Sequence, residues 1–203
     1  GYEQPMPVQE EVIPYLLGEN NDVIALAQTG TGKTAAYGLP ILQKVNPSSR
    51  STQAIVLSPT RELCLQIADD LKDYSRYIDG LYVQAVYGGA SIDSQIRALK
   101  KGVQVIVATP GRLIDLMNRG VARLDEVQNV VLDEADEMLN MGFSESIDAI
   151  LAGVPEERNT LLFSATMSKE VENIAKNYLH NHKEVVVGSR NEGAEKVNHI
   201  YYM

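Results

Sequence analysis

Apolar residues in this chain gather into short runs, and helix-length amphipathic stretches separate them. The runs are Asp22 to Ala27, Ala54 to Leu57, Leu81 to Val86, Val103 to Ala108, Asn129 to Leu132, Thr160 to Phe163 and Glu184 to Val187. Most read as continuous blocks rather than alternating ones, the pattern of strands buried on both faces. Between them, Leu63, Ile67, Leu71 and Tyr74 recur at helical spacing within Arg61 to Ile78. So do Ile147, Ile150 and Leu151, and then Val171, Ile174, Ala175, Tyr178 and Leu179. Strand–helix alternation of this kind predicts an α/β fold, a mainly parallel central sheet with helices on both faces. Gly188 to Glu195 is polar and reads as the start of a linker, and His199 to Met203 reads as the opening of a strand.

Six strings of uncommon composition each follow directly after an apolar run. They are Ala27 to Thr34 (AQTGTGKT), Ser58 to Arg61 (SPTR), Tyr87 to Ala90 (YGGA), Thr109 to Arg112 (TPGR), Asp133 to Asp136 (DEAD) and Ser164 to Thr166 (SAT). In a parallel sheet the carboxyl ends of all strands share one edge, and ligands of open α/β sheets bind there. The sequence therefore predicts a single functional rim.

The first string has the composition of a phosphate-binding loop. Gly30 and Gly32 let backbone amides close on phosphate oxygens, Lys33 reaches the outer phosphates, and the Thr34 hydroxyl suits Mg²⁺. Ala27 stands where the general pattern has its first glycine, and a merely flexible turn is the bland alternative. Asp133 and Glu134 end a short buried strand. They are either a solvated acidic turn or, beside a phosphate loop, a carboxylate that holds Mg²⁺ and one that activates water.

SPTR and TPGR share a design. Ser58 and Thr109 suit a helix N-cap, Pro59 and Pro110 the first helical position, and Arg61 or Arg112 follows in the first turn. A cation there opposes the helix dipole unless an anion joins it, and a nucleic-acid phosphate is such an anion. Alternatively Arg61 pairs with Glu62 or Asp69, and Arg112 with Asp115. Gly88 and Gly89 offer a further place for close backbone approach. Gln9 carries an amide able to pair with the N6 and N7 edge of adenine, though a lone glutamine is more often surface.

Composition changes this picture little. The net charge is −9, which argues against a broadly basic nucleic-acid surface but not against a groove with a few local donors. Cys64 is the single cysteine; it reads as a small apolar helix residue and fits a reducing, cytoplasmic setting. His180, His182 and His199 lack metal-ligand spacing and are expected at the solvated surface. No apolar run is long enough to span a membrane.

Taken together and in order, these strings resemble the DEAD-box RNA helicases over nearly the whole chain. Gly1 to Gln9 is similar to the family's Q motif, with Met6 in place of the usual hydroxyl residue and the adenine-stacking aromatic upstream of Gly1. Residues 27–34 are similar to motif I, 59–66 to motif Ia, 88–89 to the GG element, 109–112 to motif Ib, 133–136 to motif II and 164–166 to motif III. The resemblance implies a RecA-like P-loop domain spanning residues 1–188. Residues 189–203 would then start a linker toward a second RecA-like domain of the same protein, which would supply arginine fingers. It also implies that Gln9, Thr29, Gly30, Thr31, Gly32, Lys33 and Thr34 bind ATP, with Lys33, Asp133 and Glu134 catalytic and Thr34 and Asp133 toward Mg²⁺. By the same resemblance Thr60, Arg61, Gly89, Thr109, Gly111 and Arg112 contact the RNA backbone without sequence preference, and Asp136, Ser164 and Thr166 couple hydrolysis to RNA. The expected activity is RNA-stimulated ATP hydrolysis and local duplex unwinding, with residues 1–203 alone nearly inactive. A non-enzymatic docking module and a P-loop DNA translocase are the competing readings.

Overall fold

The computed structural model describes residues 22–27 and 32–186 with side chains, and the backbone of 199–202. The strands are β1 (Val23–Leu26), β2 (Ala54–Leu57), β3 (Val83–Val86), β4 (Val105–Ala108), β5 (Asn129–Leu132), β6 (Asn159–Ser164), β7 (Lys183–Val186) and β8 (His199–Tyr202). They form one sheet in the order β3-β4-β2-β5-β6-β1-β7-β8. The first seven are parallel, and β8 closes the edge antiparallel to β7, with Val186 opposite His199. The α/β expectation is met, and so is the strand expected near the end of the chain. Of the linker expected over residues 189–203, only 199–202 are described, and they pair with β7 as β8.

The helices are α1 (Lys33–Lys44), α2 (Arg61–Tyr74), α3 (Ile92–Lys101), α4 (Pro110–Asn118), α5 (Ala135–Asn140), α6 (Ser144–Ala152) and α7 (Lys169–Tyr178). Strand residues alternate between two cores because successive side chains point to opposite faces. Val23, Ala25, Val56, Val107, Val131 and Phe163 meet α1 and α2 on one face. Ile24, Ile55, Leu57, Ile106, Val130 and Leu162 meet α4 to α7 on the other. Every residue of β2, β4, β5 and β6 is buried, which is why their sequences carry no polar alternation.

Asp22 stitches the far edge together. Its carboxylate accepts the Thr160 amide at 2.7 Å and the His180 amide at 2.6 Å, tying the entry of β1 to β6 and to the turn before β7. Burial raises its pKa, and the two amides oppose that rise. His182, expected at the surface, is only 8% exposed and lies 3.5 Å from the Glu184 carboxylate. The chain has already joined the sheet there, since the Lys183 amide donates to the Asp22 carbonyl. No helix among the described residues is long and apolar enough to cross a membrane.

Candidate functional site

Register fixes where the six strings emerge. Leu57 lies opposite Ala108 and Leu132, Val86 opposite Ala108, Leu132 opposite Leu162, and Leu26 opposite Ser164. All six strings therefore leave the sheet at one edge. Sheet order also sorts them. Tyr87 to Ala90, Thr109 to Arg112 and Ser58 to Arg61 follow β3, β4 and β2 on one half of the rim. The acidic tetrad, Ser164 to Thr166 and the phosphate loop follow β5, β6 and β1 on the other half.

On this second half, α1 starts at Lys33 after Gly32, whose φ of 79° is left-handed and costs glycine nothing. Lys33 Nζ sits 2.8 Å from Asp133 Oδ1 and 3.9 Å from Glu134 Oε1. Asp133 is 2% exposed, so its ion pair is shielded from water. Glu134 adopts φ 53° and ψ 52°, a left-handed backbone rarely taken by a residue with a side chain. Such strain, about 1 kcal/mol, is characteristic of positions where the surrounding fold dictates a side-chain direction. It helps turn the chain from β5 into α5 within the two residues Asp133 and Glu134. Gln9, Thr29, Gly30 and Thr31 lie outside the described residues.

One buried residue of this site lies outside all six strings. The Tyr37 hydroxyl donates to Asp133 Oδ2 at 2.9 Å, so lysine and tyrosine hold one carboxylate oxygen each. Tyr37 is fully buried; burial, and then the adjacent carboxylate, push its pKa well above 10.0, so it remains a proton donor. Its spacing of four from Lys33 was the available signal, since i and i+4 share a helix face.

Beyond the acid pair, Thr166 Oγ1 donates to Asp136 Oδ2 at 3.1 Å, and Ser164 Oγ donates to the Thr166 carbonyl at 2.6 Å. The Ser164 carbonyl accepts the Ala27 amide at 3.0 Å. Asp136, Ser164 and Thr166 thus form one connected set that also touches the base of the phosphate loop.

On the other half, the arginines do not pair with their neighbouring carboxylates. Arg61 Nη1 donates to the Gly89 carbonyl at 3.4 Å, and its guanidinium lies 5.1 Å from the Tyr87 ring centre. Arg112 donates to the Ala90 carbonyl at 3.2 and 3.3 Å and to Gln95 Oε1 at 3.0 Å, while Asp115 pairs with Arg119. Both arginines therefore brace the glycine loop after β3. Gly89 has φ +82°, a value that favours glycine, and a Cβ at Gly88 or Gly111 would meet open space. Thr60, Gly89, Gly111 and Arg61 are all at least partly exposed on this surface.

The N-cap assignment needs one correction. Ser58 is fully buried, and α2 is capped by Thr60, whose hydroxyl accepts the Leu63 amide at 3.2 Å. The hydroxyl three residues ahead of that amide is the one in reach, so Arg61 rather than Pro59 is the first helical residue. In the second string, Thr109 and Pro110 do take the expected N-cap and first positions, and the Thr109 side chain makes no cap hydrogen bond. A second missed residue is Gln95, 3% exposed, whose amide bonds both the Tyr87 N–H and carbonyl and receives Arg112. A glutamine on the same face as Ile92 and Leu99 was the signal that could have revealed it.

The family profile for DEAD/DEAH box helicases matches residues 6–174. This chain belongs to that family. It is 48% identical over 189 residues to the ATP-dependent RNA helicase DeaD of Escherichia coli strain K12, covering 93% of this chain and 30% of that protein. It is 50% identical over 201 residues to the DEAD-box ATP-dependent RNA helicase CshA of Geobacillus kaustophilus, covering 99% of this chain and 43% of that protein. Among solved structures, a DEAD box protein from Methanococcus jannaschii superposes with a TM-score of 0.87 at 41% identity, over 92% of this chain and 50% of that one. The chain thus spans less than half the length of these curated relatives. The RecA-like fold is shared with this solved DEAD box protein.

Proposed function

We propose that this chain is the nucleotide-binding half of an ATP-dependent RNA helicase, acting on RNA together with a second RecA-like domain. The observation that carries this is the division of the rim: lysine, two carboxylates and the phosphate loop on one half, and arginine-braced glycine backbone on the other. The Asp136–Thr166 hydrogen bond lies on the nucleotide half. The relatives' names supply the substrate class, since both are called ATP-dependent RNA helicases.

The residues present fit a Mg²⁺–nucleotide complex. Asp133 Oδ1 is buried and is held among the described residues by the Lys33 ammonium alone, which leaves it available once that cation turns to a phosphate. Thr34 and Asp133 would hold Mg²⁺, which when bound neutralises phosphate charge. Lys33 exchanges its carboxylate partner for the outer phosphates, and Gly30, Thr31, Gly32 and Thr29 wrap them with backbone amides. Gln9 reads adenine. Glu134, aimed by its left-handed backbone, orients a water molecule and accepts its proton. Thr60, Arg61, Gly89, Thr109, Gly111 and Arg112 grip RNA phosphates, independent of base sequence. Asp136, Ser164 and Thr166 transmit the state of one half to the other.

In the full-length protein, Lys33→Ala and Glu134→Gln are each expected to lower RNA-stimulated ATPase about 100-fold or more. Retention of function by both variants would favour a docking module, and equal stimulation by single-stranded DNA would favour a DNA translocase. Residues 1–203 alone are expected to turn over ATP negligibly, because an arginine finger contributes about 10³-fold or more.

A further inference from the structure

Tyr37 belongs to none of the six strings, yet it touches the carboxylate at the centre of the site. Its place is set from two sides. It follows Lys33 by one helical turn on α1, so both side chains face β5. Its ring packs against Phe163 of β6, with centroids 5.2 Å apart and planes tilted by 53°. Both rings are fully buried, so the hydroxyl has little freedom to move away. It donates to Asp133 Oδ2 at 2.9 Å, while Lys33 approaches Oδ1 at 2.8 Å.

The aspartate torsion that exchanges its two oxygens is broad and nearly two-fold, so packing alone does not decide which oxygen faces the phosphate loop. A fixed donor on one oxygen decides it. Packing does not require that donor, because phenylalanine would fill the same volume. We infer that Tyr37 is a positioning residue that occupies Asp133 Oδ2 and so reserves Oδ1 for the cation facing the phosphate loop. Lys33 is the cation at Oδ1 in this structure, and Oδ1 would be the oxygen available to Mg²⁺ when a nucleotide draws Lys33 to its phosphates. The inference rests on the nucleotide-binding reading above. Groups that orient a metal-directed ligand from behind commonly matter about tenfold or more to metal affinity, although they never touch the metal.

The test uses the full-length protein, wild type and Tyr37→Phe, with ADP carrying an N-methylanthraniloyl fluorophore. Nucleotide affinity is measured first in EDTA, and then Mg²⁺ is titrated into the complex. The expected result is an EDTA affinity within about twofold of wild type and a half-saturating Mg²⁺ concentration raised about tenfold. ATPase lost at low Mg²⁺ should return as Mg²⁺ is increased. In an Asp133→Ala background, Tyr37→Phe should leave Mg²⁺ half-saturation unchanged, because both oxygens of the carboxylate it organises are gone. An unaltered Mg²⁺ titration in the single variant overturns the inference. So does an equal loss of affinity with and without Mg²⁺, which marks a packing defect. If the wild type itself shows no Mg²⁺-sensitive nucleotide binding, and Lys33→Ala binds as well as it does, the nucleotide reading falls as well. A normal wild type beside a wild-type-like Tyr37→Phe removes only the role of Tyr37.

Discussion

Thr166 and Asp136, thirty residues apart, are joined by a hydrogen bond of 3.1 Å that links the end of β6 to the first turn of α5. Glu134 is the N-cap residue of the same α5, so a shift of Thr166 changes what Asp136 and its helix lean on. Thr166→Ala in the full-length protein should keep ATPase within about threefold of wild type while strand separation falls about tenfold or more. Parallel loss of both activities, measured on one duplex, would remove the coupling role.

Gln95 holds the loop that both arginines brace. Gln95→Leu leaves the Tyr87 amide and carbonyl and the Arg112 guanidinium short of a partner, at a cost of about 1–3 kcal/mol in stability. RNA affinity should fall as well, although Gln95 itself is buried. Urea unfolding and fluorescence anisotropy with a labelled single strand read the two effects separately. Unchanged RNA affinity would show that the loop keeps its shape without it.

Arg61 and Arg112 should act as phosphate contacts rather than base readers. Alanine at either position is expected to weaken binding equally for several RNA sequences. It should also lower the slope of log affinity against log salt by about 0.7 per lost contact. A sequence-dependent loss, or an unaltered slope, would assign these arginines to loop architecture alone.

Cys64 is fully buried, and its thiol donates to the Val107 carbonyl at 3.2 Å. Burial pushes its pKa from 9.0 to about 12. Between those values the unfolded thiol ionises while the folded one keeps its proton, so the unfolded state binds fewer protons and stability falls as pH rises. The expected contribution is about 1.4 kcal/mol per pH unit, absent in Cys64→Ala. Denaturant unfolding at several alkaline pH values compares the slopes. Thiol reagents should label Cys64 only at the rate of unfolding.

The strands were legible because burial on both faces leaves them continuously apolar, and the functional strings were legible because glycine, proline and paired acids have few other uses at strand ends. Helix starts were less so: Ser58 and Thr60 are both plausible caps, and only three-dimensional reach to the Leu63 amide selects Thr60. Nor could spacing show that Tyr37 meets Asp133 across 96 residues. Strand order was likewise invisible. Along the chain the three strings of the arginine half lie together between the first string and the acidic tetrad, and only the sheet order brings those flanking strings side by side on the other half.

That sheet order has a consequence for biosynthesis. β1 precedes every other described strand along the chain, yet its neighbours are β6 and β7, with Asp22 and Thr160 separated by 138 residues. At about 5–20 residues per second, a ribosome needs roughly 7 to 28 seconds to make that stretch. Until then the lone strand stays unpaired on both edges. The arginine-bearing half of the domain, built from β2, β3 and β4, can assemble while its partner half is still being translated.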